Sequence, residues 1–414
     1  MKKLLLKNIN QLATFKGKKA KHGKEMSDIY LLNDCCVLIE DEKIADIFPS
    51  QKLALYADKD VEIVDCSGKL VTAGYVDCHT HFVFAGDRSD EFNMRLNGIP
   101  YMEIMAKGGG IVKTVDATRK ASEETLIKLS LSRIKKALSY GVTTLEAKSG
   151  YGLDTETELK QLRVANKLNN LQPVEVVSTF MGAHAVPKDF SSEKYINYLI
   201  DEMLPAVTKE NLADFCDCFC EKGVFDAAQC KKILTAAKLY GLKPKIHAEE
   251  INRIGGADLA CELGAISCEH LLKITDKDIN RLGKSETIGV ILPATAFSLK
   301  ENYAPARKMI DADCALAVAS DFNPGSCNTQ SIPLIIALSN IYCNMTIAET
   351  LCALTINAAC AIDRGGSRGT VEVGKNADLI IHNLSSLNEL NYNFATNSVE
   401  KVIKKGKVVF EKDY

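Results

Sequence analysis

Short runs of apolar residues alternate with longer amphipathic stretches along most of the chain, from residue 67 to about residue 367. Eight of these runs have the length of buried strands, and they lie at 71–81, 141–149, 174–184, 215–221, 244–249, 265–270, 288–294 and 315–321. Stretches between them repeat apolar positions at helical spacing, as at 122–140, 155–168 and 227–240. Eight strands alternating with helices predict an α/β fold, a (β/α)8 barrel of the TIM-barrel type.

The two ends of the chain have a different pattern. Residues 1–66 and 368–414 contain short strand-like runs with polar breaks and no long helical repeat. Neither end has enough apolar residues for a core of its own. We therefore expect both ends to pair into one small β-sandwich domain, formed by 1–66 and 368–414, beside a barrel domain formed by 67–367.

The composition excludes several classes of protein. The formal net charge of the 414 residues is −2, which provides neither a nucleic-acid-binding surface nor a basic face for a membrane. The 15 cysteines are scattered, and several lie inside apolar runs, as expected for buried thiols in a reducing compartment. The first residues lack the apolar core of a signal peptide, and no run approaches a membrane span of about 18 residues. The sequence therefore predicts a soluble cytoplasmic protein.

Polar side chains occur where the predicted barrel strands end. Five of the seven histidines lie at such ends with one aspartate, and these residues are His79, His81, His184, His247, His270 and Asp321. Residues two apart on a strand point to the same side, so His79 and His81 form a pair of imidazoles suited to a metal ion. An H-x-H motif alone is equally typical of two surface histidines, and only the other strand ends favour a metal site. We expect His22 in a solvated loop and His382 in a structural position.

Longer motifs accompany these residues. They are HTHFVFAGDR at 79–88, KGGGI at 107–111, AKSGYGLD at 147–154, TFMGAHAVP at 179–187, KIHAEE at 245–250, SDFNPGSC at 320–327 and VGKNADL at 373–379. The H-x-H pair followed by His, His and Asp on strands one, five, six and eight resembles the amidohydrolase superfamily over nearly the whole chain. Within that superfamily the motifs resemble the imidazolonepropionase family, whose members open the imidazolone ring in histidine degradation.

The resemblance implies a metal site with an open position for water. The implied ligands of one divalent or trivalent ion, zinc or iron, are His79, His81, His247 and Asp321. This ligand set does not choose between the two metals. Two-metal relatives carry a bridging lysine at the end of strand four, and Glu221 with Lys222 at that position does not exclude a second metal. Lys148, on strand two, is expected to form a salt bridge at the rim.

The resemblance also implies metal-dependent hydrolysis of the cyclic amide C–N bond of 4-imidazolone-5-propanoate to N-formimino-L-glutamate. A metal lowers the pKa of bound water, and proton transfer then needs a carboxylate or imidazole beside that water. The implied catalytic residues, with no order among their roles, are Glu250, His270 and Asp321. The implied substrate-binding residues are Arg88, Tyr151, His184, Glu250, Asn323, Gly325 and Ser326. Arg88 would hold the propionate carboxylate, and Gly108, Gly109 and Gly110 are expected to form a flexible lid.

Two alternatives remain at this point. Another amidohydrolase-superfamily enzyme, such as an aromatic-ring deaminase, would use the same ligands but release ammonia. A metal-free relative kept as a scaffold would be expected to lose ligands, and none of the four is missing here. The expected partner is a small-molecule substrate, with no nucleic acid and no membrane, and the resemblance implies a homodimer.

Overall fold

The structure is a computed structural model that describes residues 2–56, 61–99, 103 and 109–413. The predicted glycine-rich lid begins outside these residues, since Gly108 is not among them. The strands of the described part are β1 (Lys3–Thr14), β2 (Tyr30–Glu40), β3 (Lys43–Pro49), β4 (Val61–Asp65), β5 (Leu70–Ala73), β6 (Tyr75–Asp77), β7 (Val142–Lys148), β8 (Glu175–Ala183), β9 (Phe215–Cys220), β10 (Lys243–Ala248), β11 (Ser267–His270), β12 (Ile288–Ile291), β13 (Leu316–Val318), β14 (Leu379–His382), β15 (Val399–Lys404) and β16 (Lys407–Glu411).

Helices separate or flank the central strands. They are α1 (Ser89–Leu96), α2 (Ile111–Lys120), α3 (Glu123–Ser139), α4 (Thr155–Leu168), α5 (Ser192–Tyr198), α6 (Leu204–Lys209), α7 (Ala227–Leu239), α8 (Gly256–Leu263), α9 (Asp276–Leu282), α10 (Pro293–Leu299), α11 (Ala306–Asp311), α12 (Ile332–Ile341), α13 (Ile347–Leu354), α14 (Ile356–Ala361) and α15 (Leu387–Tyr392). Helix α4 begins where the Asp154 side chain accepts the N–H of Thr157, and α7 begins at a reciprocal capping box between Asp226 and Gln229.

Strands β6 to β13 form one parallel sheet in chain order. Each of the eight predicted strand runs overlaps one of them, so the predicted barrel is confirmed. The sheet closes just beyond its first and last strands, where Thr80 and Phe322 form a parallel bridge. There the N–H of His81 donates to the carbonyl of Phe322 at 2.9 Å, and the N–H of Asp321 donates to the carbonyl of His79 at 3.0 Å. The closure therefore holds three predicted metal ligands together at the carboxyl end of the barrel.

Both chain ends form a second sheet, as predicted. Its hydrogen-bonded order is β16-β15-β14-β5-β1-β2-β3, and β4 pairs in parallel with the first part of β1. Aliphatic side chains from opposite chain ends fill its interior, among them Leu6, Ile9 and Ile381. Strands from the two ends therefore bury one shared core. The domain boundaries given above stay predictions.

The first barrel strand differs from its prediction. The run 71–81 is not one strand, because β5 pairs with β1 and β14 in the second sheet, whereas β6 pairs with β7 in the barrel. A Cβ at Gly74 would lie 2.4 Å from the side chain of Thr143, so glycine is needed where the chain passes between the sheets. Strand β6 ends before His79, and the H-x-H motif therefore lies just beyond a strand rather than on one.

The cysteines agree with the prediction of small buried side chains. All 15 are free thiols, and all except Cys261 and Cys360 are buried. Within the described ranges, no helix is both long enough and apolar enough to cross a membrane.

Candidate active site

Three histidines and one aspartate meet at the carboxyl end of the barrel. Nε2 of His79 lies 3.4 Å from Oδ1 of Asp321, and Nε2 of His81 lies 3.9 Å from the same oxygen. Nε2 of His247, from β10, lies 3.4 Å from Nε2 of His81. All four side chains are buried. The structure therefore brings together the four residues predicted as metal ligands.

The donor atoms fit a metal ion. Ligands about 2.0 to 2.2 Å from a zinc ion lie about 3 to 3.5 Å apart in tetrahedral or similar geometry. Two of the three separations, both 3.4 Å, lie in this range, and the third is 3.9 Å. Nε2 of His79 is buried without a well-aligned hydrogen-bond partner among the described residues, and so are Nδ1 of His79 and Nδ1 of His247, although each Nδ1 has a carboxylate oxygen nearby. Among these residues Nε2 of His79 has only Asp321 and the other imidazoles around it, which is costly for a polar atom unless it binds something else. The chemistry and spacing of this donor set therefore suit a divalent cation.

Carboxylates contact two of these histidines at Nδ1, the ring nitrogen that faces away from the other predicted ligands. Nδ1 of His79 lies 2.6 Å from Oε2 of Glu269, and Nδ1 of His247 lies 3.0 Å from Oδ2 of Asp217. Burial lowers the pKa of His79, but the charge of Glu269 and the contacts with Asp321 and Glu269 outweigh burial and raise it to about 9. The sequence analysis missed both supporting carboxylates. For Asp217 the available signal was a charged residue within the otherwise apolar strand β9, whereas Glu269 lies in β11, whose other residues include a serine and a histidine and so give no such contrast.

Two lysines complete a group inside the barrel that we call the charged cluster, namely Glu146, Lys148, Asp217, Lys245 and Glu269. Nζ of Lys148 lies 2.7 Å from Asp217, 2.9 Å from Glu269 and 3.1 Å from Glu146. Nζ of Lys245 lies 2.7 Å from Glu146 and 3.0 Å from Glu269. Burial alone would lower the pKa of Lys148, but its three carboxylate neighbours raise it well above its ordinary value. All five side chains are fully buried, so the contacts within the cluster are shielded from bulk solvent.

Lys148 does form a salt bridge, but its predicted position at the rim was wrong, because the bridge lies inside the barrel. Its side chain points into the barrel, and so does that of Glu146, two residues earlier on β7. Lys245 and His247 are spaced in the same way on β10. This spacing of two was a second signal for the charged cluster, because it places the lysine on the same face as a predicted ligand.

The backbone is strained at Asp321 and His270. Their φ values are +50° and +76°, in a region that residues with side chains rarely occupy and that is common at functional sites. Oδ2 of Asp321 accepts the hydroxyl of Thr295 at 2.7 Å, which leaves Oδ1 directed at the histidines. Burial raises the pKa of Asp321, but the close contact with His79 and the charge of that imidazole hold it below its usual range. Asp321 is therefore an ionised carboxylate at neutral pH.

Glu250 and His270 lie beside the ligands. Oε1 of Glu250 is 3.6 Å from Nδ1 of His270. Burial, with a smaller effect of Asp321, raises the pKa of Glu250 to about 8, and burial lowers the pKa of His270 to about 3. The adjacent Glu249 faces elsewhere, since its carboxylate accepts backbone N–H groups from two residues of the following loop and from one residue in the first turn of α8. Of the two neighbouring glutamates, only Glu250 is placed for chemistry at the cluster.

His184 and Tyr151 form an aromatic wall next to His81. The rings of His184 and His81 stack with centroids 5.0 Å apart and planes inclined by 18°, and the Tyr151 ring lies 5.9 Å from that of His81. Nδ1 of His184 lies 3.1 Å from the carbonyl of Gly150. Burial lowers the pKa of His184 to about 4, so this imidazole is neutral at physiological pH.

Arg88 packs against the loop that follows β13. Its Nε donates to Oε2 of Glu91 at 2.9 Å, and a Cβ at Gly325 would lie 2.3 Å from its Nη1. Asn323 organises the loop, because its Oδ1 accepts the N–H groups of Gly325 and Ser326, both at 2.8 Å. Its Nδ2 donates to the hydroxyl of Ser326 at 2.8 Å. The structure thus brings Arg88, Gly325 and Ser326 together, whereas the Asn323 amide is engaged within the loop.

The end of β9, the fourth strand of the barrel, supplies no lysine to the predicted metal ligands. Lys222 is exposed, and Glu221 accepts the backbone N–H groups of Ile251 and Asn252 at 3.0 Å each. The bridging lysine of a two-metal site, which the sequence did not exclude, is therefore absent from this position.

The barrel and its histidine–aspartate cluster define the class of protein. Residues 70–409 match the sequence model of the Amidohydrolase family. An adenosine deaminase from Xanthomonas campestris, solved with bound zinc, shares the fold with a TM-score of 0.73 and 18% identity over 98% of this chain and 92% of that one. An atrazine chlorohydrolase from Arthrobacter aurescens does so with a TM-score of 0.70 and 13% identity over 99% and 95%. The chain belongs to the amidohydrolase family.

Curated relatives narrow the comparison. The imidazolonepropionase of Clostridium tetani is 48% identical over 99% of both chains. That of Alkaliphilus metalliredigens is 46% identical over 99% of this chain and 98% of the relative, and that of Fusobacterium nucleatum is 47% identical over 99% of both. The resemblance to the imidazolonepropionase family that the motifs indicated is thereby confirmed.

Proposed function

We propose that this chain hydrolyses the cyclic amide C–N bond of 4-imidazolone-5-propanoate to N-formimino-L-glutamate with the help of a metal ion. The observation that carries the proposal is the buried meeting of His79, His81, His247 and Asp321, with Arg88 at the same end of the barrel. The relatives named imidazolonepropionase, which match nearly the whole chain, support the same substrate.

One ion, zinc or iron, would be held by Nε2 of the three histidines and Oδ1 of Asp321. When bound, such an ion lowers the pKa of a water molecule and polarises a carbonyl oxygen. The single-ion proposal is supported by the exposed position of Lys222, which leaves β9, the fourth barrel strand, without a bridging lysine. Asp321 suits a ligand role because it stays ionised at neutral pH.

We assign proton exchange to Glu250. General acid–base catalysis is most efficient when the pKa of the group is close to the working pH, and that of Glu250 is raised to about 8. Its carboxyl group would accept a proton from the attacking water and return it to the ring nitrogen as the C–N bond breaks. His270 is neutral and 3.6 Å from Glu250, so it would orient the water or the ring carbonyl through a hydrogen bond.

Arg88 would hold the propionate arm. Glu91 accepts from its Nε, and among the described residues no hydrogen bond engages either Nη group, so both can form a bidentate contact with a carboxylate. The Ser326 hydroxyl would contact the arm from the loop that packs against this guanidinium, where Gly325 gives the close approach. Asn323 would act mainly by fixing that loop.

Tyr151 and His184 would hold the imidazolone ring. The contact of His184 Nδ1 with the Gly150 carbonyl places the proton on Nδ1, because a carbonyl can only accept. Nε2 is then an acceptor for a ring N–H. The stacking of His184 on His81 brings that acceptor close to the metal ligands, so the ring carbonyl can be turned toward them.

We further propose that the enzyme acts as a cytoplasmic homodimer. This rests on the family resemblance and on the many buried free thiols, which suit a reducing compartment. Sedimentation of the purified protein at two concentrations tests the dimer, and a monomer at both would exclude it.

Freshly made 4-imidazolone-5-propanoate tests the reaction. We expect purified holoenzyme to remove its ultraviolet absorbance, to form N-formimino-L-glutamate and to release no ammonia. In 18O-labelled water the new carboxylate should carry one labelled oxygen. Stoichiometric ammonia, or deamination of a purine or pyrimidine without loss of imidazolone, would overturn the proposal and favour a deaminase.

A single variant tests the identity of the substrate arm. Arg88→Ala should lower kcat/KM for the natural substrate. The corresponding rise in the free-energy barrier should be about 1.5 to 3 kcal/mol, the value of a charge-assisted contact. An imidazolone that lacks the carboxylate is the matched control, and its turnover should change far less. Equal losses with both compounds would show that Arg88 has a different role.

A further inference from the structure

We propose that Asp217 and Glu269 are positioning residues that fix the orientation and the protonation site of His247 and His79, and that Lys148 joins the two carboxylates into one support. The proposal rests on the metal site of the proposed function. It assigns a role to buried side chains that touch neither the proposed substrate nor the proposed metal.

The contacts converge on single oxygen atoms. Oδ2 of Asp217 lies 3.0 Å from Nδ1 of His247 and 2.7 Å from Nζ of Lys148. Oε2 of Glu269 lies 2.6 Å from Nδ1 of His79 and 2.9 Å from the same Nζ. One ammonium group therefore contacts both oxygen atoms that face an imidazole. Because these residues come from β7, β9 and β11, they form a layer across alternate strands of the barrel.

A carboxylate at Nδ1 determines which ring nitrogen carries the proton. An ionised carboxylate can only accept, so in the neutral imidazole that a metal ion binds, Nδ1 carries the proton and Nε2 keeps its lone pair. In His79 that Nε2 lies 3.4 Å from Asp321, and in His247 it lies 3.4 Å from Nε2 of His81. Both lone pairs are thus directed at the proposed metal position. Partners of this kind hold metal-binding histidines in one tautomer and one orientation.

The charge of the cluster has the sign that a cation needs. Three carboxylates, from Glu146, Asp217 and Glu269, face two ammonium groups, from Lys148 and Lys245, which leaves one net negative charge beneath the ligands. This charge alone would also favour a cation, so a test must separate charge from positioning.

Glu146 provides that separation. It is as buried as Asp217 and Glu269 and contacts both lysines of the cluster. Its remaining contact is with the hydroxyl of Thr179 at 2.5 Å, and no contact with a histidine is found among the described residues. Removing the charge of Glu146 therefore changes the cluster by the same amount without touching an imidazole.

The experiment compares Asp217→Asn, Glu269→Gln and the control Glu146→Gln. Each replaces a carboxylate with an amide of the same shape, and an amide can donate to Nδ1 and so move the proton to Nε2. The affinity of each metal-free protein for Zn²⁺ is measured by competition with a chromophoric chelator. We expect Asp217→Asn and Glu269→Gln to weaken binding by about 10- to 100-fold, and Glu146→Gln by less than about threefold.

Equal losses in all three variants would show that charge alone matters and would overturn the proposal. Unchanged affinity in Asp217→Asn and Glu269→Gln would do the same. Should an amide variant fail to fold, 15N NMR of the wild-type imidazoles, recorded at a pH where both rings are neutral, decides instead, because the proposal requires the proton on Nδ1 of His79 and His247 and a neutral ring protonated on Nε2 would overturn it. No substrate is used, so failure here leaves the hydrolytic reaction standing, whereas a wild-type protein that binds no Zn²⁺ removes the metal site as well.

Discussion

The two sheets of the molecule fill their interiors with different chemistry. The second sheet buries aliphatic side chains such as Leu6, Ile9 and Ile403. Inside the barrel, near the carboxyl ends of the strands, the chain instead buries the charged cluster around Lys148 and Lys245. Burial of apolar surface stabilises a fold without further conditions, whereas buried ions are stable only when all their partners are present.

The two sheets also differ in how they surround a buried histidine. His382 lies in the second sheet between the hydroxyls of Thr72 and Ser398, each at 3.1 Å, and burial lowers its pKa to about 3. His79 is equally buried, but carboxylates raise its pKa to about 9. Burial alone therefore does not determine the charge of a histidine here. His382 has the structural position expected for it, away from the ligands.

The largest expected effect follows from removal of Lys148, which carries one of the two ammonium groups of the charged cluster. Lys148→Met leaves Asp217, Glu146 and Glu269 without their common partner, and loss of one partner of a buried ion pair costs about 3 to 5 kcal/mol. We expect the free energy of unfolding of the metal-free protein, measured by urea titration, to fall by about this amount. A loss below about 1 kcal/mol would show that these carboxylates are neutral or hydrated.

A substitution in the apolar core of the second sheet tests the other half of the comparison. Leu6 is fully buried, and Leu6→Ala should lower the free energy of unfolding by about 3 kcal/mol through lost burial and an unfilled cavity. Zn²⁺ affinity of the folded variant should stay unchanged, since no ligand or supporting carboxylate is altered. A parallel loss of metal affinity would show that the two sheets are coupled, which the comparison does not predict.

The smallest expected effect is a pH dependence that arises in the second sheet. The folded-state pKa of His382 is about 3, below the value of about 6.5 in an unfolded chain. Below pH 6.5 the unfolded chain therefore binds a proton that the folded chain does not, so stability present above pH 6.5 is lost as the pH falls toward 3. Between pH 7 and 5 the wild-type protein should lose about 2 kcal/mol more than His382→Gln, measured by urea unfolding at each pH. Equal losses in both proteins would show that His382 does not contribute.

The barrel could be predicted from the sequence because its apolar runs alternate with helical periods and several end in histidine. The charged cluster was missed, because parallel strands are buried on both faces and their apolar residues conceal which side points inward, so the two signals named above were weak. Asp217 within β9 shows this, since its neighbours on both sides are buried cysteines. The break between β5 and β6 was missed because the run 71–81 is interrupted only at Gly74, whose role depends on the distant Thr143.

Titration of the metal-free protein with zinc or iron(II), followed by the loss of imidazolone absorbance, tests the central claim most directly. We predict that turnover of 4-imidazolone-5-propanoate rises in proportion to added metal and stops rising at one equivalent per chain. His247→Ala, which lacks one proposed ligand, should show neither tight binding nor turnover under the same conditions. An activity that needs two equivalents, or a metal-loaded protein that leaves the imidazolone intact, would contradict the account.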